Sequence, residues 1–160
     1  MEKENEHTKS NKYTRFFLML GLSFVAMYVT MYLNTYSIDH VYFSLTRFYM
    51  TCLGISTMAV IMLLFMWGMY NNTKKSTAIL LGSLILFSAA LFLVRVQKPI
   101  VGDVLWLKGM IPHHSIAILT SERADIKDPE VKKLANDIIT AQRKEIEEMK
   151  MILKRLENDK

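Results

Sequence analysis

Charged side chains are distributed very unevenly along this 160-residue chain. Residues 1–15 carry seven of them, residues 16–94 carry four, and residues 95–160 carry twenty-four. A soluble domain of this length spreads charge over its whole surface, so the pattern excludes a single soluble globule. It predicts a membrane-embedded first part and a water-exposed second part.

Three runs without charge lie in the first part, at residues 16–38, 48–73 and 76–94. A helix needs about 20 apolar residues to cross a hydrocarbon core of roughly 30 Å, so each run is long enough. The first run is too long for the apolar region of a signal peptide and has no A-x-A-like cleavage site after it. We therefore predict a cytoplasmic tail over residues 1–15 and a three-helix transmembrane region over residues 16–95.

The positions of Lys and Arg predict the direction of insertion. Only Arg47 is basic between the first two runs, whereas five basic residues lie shortly before the first run or between the second and third: Lys9, Lys12, Arg15, Lys74 and Lys75. Cytoplasmic loops carry the excess of such residues, so the N-terminus is expected inside and residues 96–160 outside. This arrangement is typical of a multi-pass protein of the bacterial inner (cytoplasmic) membrane with a periplasmic, extracytoplasmic C-terminal domain.

Three features of the membrane region have competing interpretations. Tyrosines recur every fourth residue in the first run, at Tyr28, Tyr32 and Tyr36, which predicts an interfacial or interhelical stripe. A second set has a spacing that predicts one shared helix face: Met58, Met62, Met66 and Met69. Packing between membrane helices is favoured as their role over a row of thioether ligands that conducts Cu(I) through the membrane. His40 is expected to be a surface-loop histidine rather than an accessory ligand.

The net charge of +5 is not concentrated in any one segment. It divides into +1 for residues 1–15, +2 for residues 16–94 and +2 for residues 95–160, and no segment is a polybasic arm. Nucleic-acid binding leaves a basic footprint, so no nucleic-acid partner is expected.

The charged segment, residues 96–160, is predicted to be a helical hairpin. One helix is expected over residues 104–123, with Asp103 as N-cap and Pro112 inside it, and a second from the cap Asp128-Pro129 to about Leu156. The short linker makes the helices antiparallel neighbours. Two helices enclose little core, so we expect either self-association into a four-helix bundle or docking on the membrane region.

Polar side chains fall within the apolar faces of this hairpin. Gln142 and Glu145 lie inside the apolar arc of the second helix, while Met110 and His114 share a face of the first and His113 projects roughly 100° away. The physical hypothesis is that six residues meet between the helices as a transition-metal site, in which thioether sulfur favours Cu(I): Met110, His113, His114, Gln142, Glu145 and Met149.

The same residues have structural interpretations that remain open. Adjacent histidines point in different directions, so they are weak signals of a metal site. Glu145 could form an ion pair with His113 or His114, and Gln142 could bind a carbonyl that Pro112 frees from its helical bond. Met149 on an apolar face is ordinarily core.

The motif G-M-I-P-H-H at residues 109–114, followed by A-Q-x-x-E-I-x-x-M at residues 141–149, resembles the bacterial family called "domain of unknown function 305" over residues 105–153. The resemblance implies a ferritin-like helical bundle, generally exported, with periplasmic copper-binding relatives, and the three spans look like its membrane-anchored branch. It also implies that the six residues above are the family's signature set. Many relatives have methionine near positions 116 and 120, where this chain has Ile116 and Thr120, so one site per hairpin or per dimer is expected.

These observations predict a membrane-anchored protein that binds copper, as Cu(I), or another transition metal, and that forms homo-oligomers. The alternative is a metal-free structural or interaction module that oligomerises through the hairpin. Enzymatic activity is not expected. Di-iron bundles use several carboxylates and Glu-x-x-His spacing, which the chain lacks, and no nucleophile with a base, phosphate loop or dinucleotide fingerprint is present.

Overall fold

The computed structural model describes residues 2–70 and 72–159, with side chains from residue 12 onward, and the described residues form helices but no strand. The predicted all-α class is confirmed. Most of the predicted tail, residues 1–15, and Asn71 lie outside the described side chains. The five helices are α1 (Glu2–Thr30), α2 (Leu45–Phe65), α3 (Thr73–Arg95), α4 (Asp103–Arg123) and α5 (Pro129–Asn158), with short 3₁₀ turns at Ile38–His40 and Trp67–Met69.

The chain divides into two compact units. The first contains Met1–Val29 and Phe48–Val96, and the second contains Thr30–Arg47 and Gln97–Lys160. The hairpin therefore shares its unit with the segment that connects α1 to α2. The domain boundary that the charge pattern predicts at residue 95 instead groups this segment with the membrane region.

Three helices are long and apolar enough to cross a membrane: Lys12–Thr30, Leu45–Phe65 and Thr73–Arg95. Their number agrees with the prediction, but the first ends eight residues before the charge-free run does. The helix stops at Thr30, the following residues form turns, and the Tyr36 amide then bonds to Ser115 of the hairpin. The predicted tyrosine stripe is consequently wrong, since Tyr28 lies in α1 whereas Tyr32 and Tyr36 follow its end.

Small and aromatic residues fill the interior of the first unit. On α3 the buried positions are Ser76, Ser83 and Ala90, seven residues apart, a spacing that lets a neighbouring helix approach closely. An apolar cluster completes this interior with Tyr13, Phe16, Ala59, Leu63 and Tyr70.

The predicted methionine face does not extend along one helix. The second span ends at Phe65, so Met66 and Met69 lie beyond it and only Met58 and Met62 share a face of α2. The prediction of four methionines on one helix face is therefore wrong.

The start of each hairpin helix has a local cause. Asp128 caps α5 as predicted, because its Oδ1 accepts the amides of Glu130 and Val131 at 2.9 and 3.0 Å. Gly102 is the N-cap of α4, and Asp103 is instead its first helical residue. An acidic group in the first turn still stabilises a helix through its dipole.

Candidate metal site on the helical hairpin

A single apolar core joins α4 and α5. Leu107, Ile111 and Ile118 of α4 pack with Ile146, Met149 and Leu153 of α5, and Ile111 is fully buried. Met149, one of the six predicted ligands, lies in this core with 6% of its surface exposed. Met110 is half-buried and packs against the same core.

His114 contacts Glu145 across the hairpin. The imidazole Nε2 lies 2.9 Å from Glu145 Oε2, and its Nδ1 lies 3.0 Å from the carbonyl oxygen of Met110, one turn earlier. A carbonyl oxygen only accepts hydrogen bonds, so Nδ1 carries the hydrogen and donates it. The ring is thereby fixed with Nε2 directed at the carboxylate.

The position of Glu145 differs from the prediction. The helical wheel placed its side chain inside the apolar arc, but 51% of that side chain is exposed, whereas the His114 side chain is 13% exposed. The apolar arc of α5 extends beyond the surface that α4 covers, and Glu145 lies at the uncovered edge of that arc. Gln142 lies beside it and donates a long bond of 3.4 Å to Glu145 Oε2, so its predicted contact with a carbonyl freed by Pro112 is not formed.

His113 points away from this pair. Its ring centre lies 6.1 Å from that of His114 at an angle of 65°, and its side chain is exposed. It lines a separate cavity together with Met110 and Arg47. Of the six predicted residues, the structure thus brings together the side chains of His114, Glu145 and Gln142, which we call the carboxylate edge. It separates the side chains of His113 and Met149 from them, and Met110 contacts His114 through its backbone carbonyl.

The carboxylate edge fits part of a metal site. Bonds from a transition metal to imidazole nitrogen and carboxylate oxygen measure about 2.0–2.2 Å, so two such ligands at a right angle lie about 3 Å apart. The 2.9 Å between His114 Nε2 and Glu145 Oε2 matches that spacing. A backbone acceptor on the other ring nitrogen is also the usual support of a ligating histidine. Among the described residues no three His, Cys, Asp or Glu side chains form a metal-binding group.

Comparison with known proteins identifies the family. The family model described as "Domain of unknown function (DUF305)" matches residues 100–160. The "Uncharacterized protein L153" of Acanthamoeba polyphaga mimivirus is 39% identical over 139 residues, which cover 85% of this chain and 89% of that protein. This chain belongs to the DUF305 family. The similarity to the viral protein is longer than the DUF305 segment, so it includes part of the region that precedes the hairpin. No solved structure matches the chain.

The connection between α1 and α2 binds the DUF305 hairpin at Ser115. The Ser115 Oγ accepts the amide of Tyr36 at 2.7 Å and lies 3.0 Å from His40 Nδ1. Ser115 is fully buried and His40 is 8% exposed, so the prediction of a surface histidine at position 40 is wrong. Burial lowers the pKa of His40 and favours its neutral form.

Two charged contacts extend this attachment of the α1–α2 connection to the hairpin. We call the whole attachment the loop clamp and define it by Tyr36, Asp39, His40 and their partners. Lys150 donates to Asp39 Oδ2 at 2.5 Å, and the Ser37 hydroxyl donates to the other oxygen. These bonds lower the pKa of Asp39 to about 2. Arg143 donates to Glu122 at 2.6 Å and to the Tyr36 hydroxyl at 3.0 Å.

The loop clamp covers one side of the DUF305 hairpin. Tyr36 and Tyr42 pack against the core formed by α4 and α5. A sequence signal for this contact exists on α4, since Ser115 lies four residues after Ile111 and three before Ile118 and so points to the core. A buried hydroxyl requires a partner, and here that partner is the loop.

Proposed function

We propose that this DUF305 protein is anchored in a membrane by three helices and binds a transition metal at the carboxylate edge of its hairpin. Copper is the first candidate because of the resemblance to copper-binding relatives. The basic residues that flank the spans favour a cytoplasmic N-terminus and a hairpin on the periplasmic side of a bacterial inner membrane. Of these residues, Lys74 and Lys75 are exposed in the first turn of α3.

The observation that carries the proposal is the geometry of His114. Its Nδ1 is occupied by the Met110 carbonyl, and its Nε2 lies beside an accessible carboxylate oxygen. When bound, the metal would take Nε2 and Oε2 as ligands and would replace the direct contact between them. The hairpin supplies the two donors, holds the ring and keeps the site open to solvent on the Glu145 side.

The donor set bears on the metal. Imidazole binds zinc, copper, iron and nickel, whereas a carboxylate suits harder ions than Cu(I). The pair His114 and Glu145 therefore favours Cu(II) or Zn(II), and a Cu(I) site would require the Met110 thioether as well. Met149 would have to leave the core to contribute.

Two donors leave coordination positions to be filled. A second copy of the hairpin would supply another His114 and Glu145 and would bury apolar side chains that a single chain exposes. Leu134 is 59% exposed and Val131 is 50% exposed on α5. A homodimeric four-helix bundle is thus the assembly that we propose for the metal-bound form.

Metal titration of the purified full-length protein tests the proposal, with Cu(II), Zn(II), Cu(I) and Ag(I) as separate probes. We expect one ion per chain or per dimer, lost in His114→Ala and retained in His113→Ala, because only His114 contacts Glu145. The adjacent histidine is the matched control. Equal binding by the two variants, or no binding by the parent protein, contradicts the proposal.

A second function is favoured by one specific observation, that the His114–Glu145 contact is complete without a metal. In that interpretation the hairpin is a structural or interaction module, and the pair fixes its register when it oligomerises. His114→Ala would then change the oligomeric state or the melting temperature while the metal content of both proteins stays at zero. Sedimentation and elemental analysis of the same samples separate the two functions.

A further inference from the structure

The first unit contains a cavity of about 370 Å³ between its three helices. All three contribute to the walls, which include Leu20 of α1, Ala59 of α2 and Gly82 of α3. Among the described residues that line this cavity, only Ser56 and Ser83 are polar. Pockets for small ligands measure roughly 300–1,000 Å³ and are mostly apolar with a few polar groups. The cavity has the size and the composition of such a pocket.

The two serines differ in how their hydroxyls are satisfied. Ser56 donates to the carbonyl oxygen of Leu53 in its own helix at 2.9 Å. Ser83 is only 8% exposed, and its hydroxyl has no hydrogen-bond partner among the residues that the structure describes. Those residues leave no fully buried polar side-chain atom without a partner, so the Ser83 oxygen is reached through the cavity that it lines. The cavity therefore offers one free hydroxyl on an apolar wall.

Ser83 lies near the middle of a span. It is one residue from the centre of α3, whose 23 residues are apolar enough to cross a membrane. The hydrocarbon core is roughly 30 Å thick, so the hydroxyl of an inserted α3 lies about 15 Å from either interface. An unpaired hydroxyl is costly at that depth, where neither water nor the ester oxygens of lipids supply a partner. A partner for Ser83 has to be an acceptor that dissolves in the hydrocarbon.

The volume of the cavity selects among such partners. One turn of a helix with its side chains, roughly 10 Å wide and about 5.4 Å long, occupies about 400 Å³, so a helix of a second copy does not fit. A lipid acyl chain fits, but it carries no acceptor at this depth. A flat ring with a carbonyl oxygen and the first part of an apolar tail fits the volume and supplies the acceptor.

We propose that this cavity, the span cavity, binds a neutral, membrane-soluble ring compound with a carbonyl oxygen, the class to which quinones belong. The Ser83 hydroxyl donates a hydrogen bond to that oxygen, and Leu20, Ala59 and Gly82 contact the ring. The site rests on the membrane anchor of the proposed function and is independent of the metal.

Calorimetric titration of the full-length protein in detergent tests the proposal. Three probes are compared: decylbenzoquinone carries a ring with carbonyl oxygens, decylbenzene carries the ring alone, and short-chain phosphatidylcholine supplies acyl chains. We expect saturable binding of one quinone per chain, weakened roughly fivefold in Ser83→Ala, as the loss of one neutral hydrogen bond implies. Decylbenzene should not distinguish the two proteins. Ser88→Ala, at an exposed serine of α3, is the matched control and should bind the quinone like the parent protein.

Infrared spectroscopy adds a readout of the hydrogen bond itself. A hydrogen bond lowers the stretching frequency of the carbonyl group that accepts it. At saturating quinone, we expect this lowering in the parent protein and in Ser88→Ala, and its loss in Ser83→Ala. A change that only loosened the packing of the helices would not remove it selectively.

A second variant tests the volume of the span cavity. A Cβ at Gly82 would meet no atom within 4 Å, so this position accepts a larger side chain. Gly82→Leu is expected to fill the cavity and to abolish saturable binding of the quinone. Gly21→Leu is the matched control, because Gly21 has the same open space but does not line the cavity.

Four results would overturn the proposal. They are unchanged affinity and carbonyl frequency in Ser83→Ala, unchanged binding in Gly82→Leu, tighter binding of phosphatidylcholine than of the quinone, and an oligomeric state that Gly82→Leu alters while no quinone binds. The last two would assign the cavity to an acyl chain and to a second copy.

The metal site and the membrane anchor are tested separately from the span cavity. His114→Ala should bind the quinone like the parent protein, so the metal proposal and this one fail independently. Carbonate extraction of membranes tests the anchor alone. A protein that carbonate releases contradicts the anchor and the span cavity together, whereas a retained protein that binds no quinone contradicts only the span cavity.

Discussion

The two sides of the hairpin differ in how their polar groups are satisfied. On the side of the loop clamp, Ser115 and His40 are buried and bind each other, as buried polar groups must. On the carboxylate edge, Glu145 is half-exposed, so the carboxylate that contacts His114 is accessible to solvent. The first arrangement stabilises a fold, whereas the second leaves room for a ligand. Residues that look alike in the sequence, such as His40 and His114, therefore have different tasks.

The largest effect on stability is expected from Ser115→Ala. The change leaves the Tyr36 amide and the His40 ring without their buried partner, which costs about 2 kcal/mol. Thermal or denaturant unfolding of the full-length protein measures it. Thr120→Val on the same helix is the control, since its hydroxyl is exposed and bonds only to carbonyls of α4. Equal losses in the two variants would remove the distinction between the sides.

A smaller, pH-dependent effect is expected from His40. Burial lowers its pKa in the folded protein below the value of about 6.5 in an unfolded chain. Protons therefore bind the unfolded state first, and the contribution is complete above pH 6.5 and is lost as the pH falls. The groups that face the ring are Asp39 and Glu147, which oppose the shift, and Lys150 and Arg143, which add to it.

Unfolding at a series of pH values from 7.5 to 5 checks this sign. We expect stability to fall over this range in the parent protein and to fall less steeply in His40→Gln, which keeps hydrogen-bonding groups but does not titrate. An identical slope in both proteins would show that other histidines carry the pH dependence.

The ion pair of the loop clamp is expected to contribute less at neutral pH. The Asp39 carboxylate is more than half exposed, and pairs of that kind contribute up to about 1 kcal/mol. Lys150→Met should lower the free energy of unfolding within that limit and make it less dependent on salt. Because the folded pKa of Asp39 is about 2, its contribution is present above pH 4 and is lost as the pH falls towards 2. A loss of unfolding free energy well above this limit would show that the pair of Lys150 and Asp39 behaves as a buried ion pair.

The smallest effect on stability is expected at the carboxylate edge. Glu145→Gln preserves the shape of the side chain and should change the free energy of unfolding by less than about 1 kcal/mol, since the Glu145 side chain is half-exposed. Metal binding should nevertheless be strongly weakened in the titration described above. A large loss of stability without a change in metal binding would reverse the assignment of the two sides.

Local signals predicted much of this structure. The cap at Asp128 and the proline after it determine where α5 begins, and these are properties of a few neighbouring residues. The number of spans likewise follows from hydropathy. The path of residues 31–44 does not, because an apolar run without charge has the same composition whether it continues a helix or packs on another domain.

The candidate site was predictable only in part. The motif selected His114 and Glu145, but their contact depends on how far α4 covers the apolar arc of α5, which is a tertiary property. The same dependence separates His113 from His114 and leaves Met149 in the core. Ser115 and His40 were missed because they are 75 residues apart, and no local pattern connects them.

The partnership of Ser115 and His40 makes the hairpin a discontinuous folding unit. A fragment that begins after α3 would lack Tyr36 and Tyr42, and its core would lose the cover that these side chains provide. During synthesis the connection between α1 and α2 must likewise wait for α4 to be made before its polar groups find their partners. A fragment of residues 96–160, which the sequence boundary suggests, therefore lacks part of the hydrophobic core of its own unit.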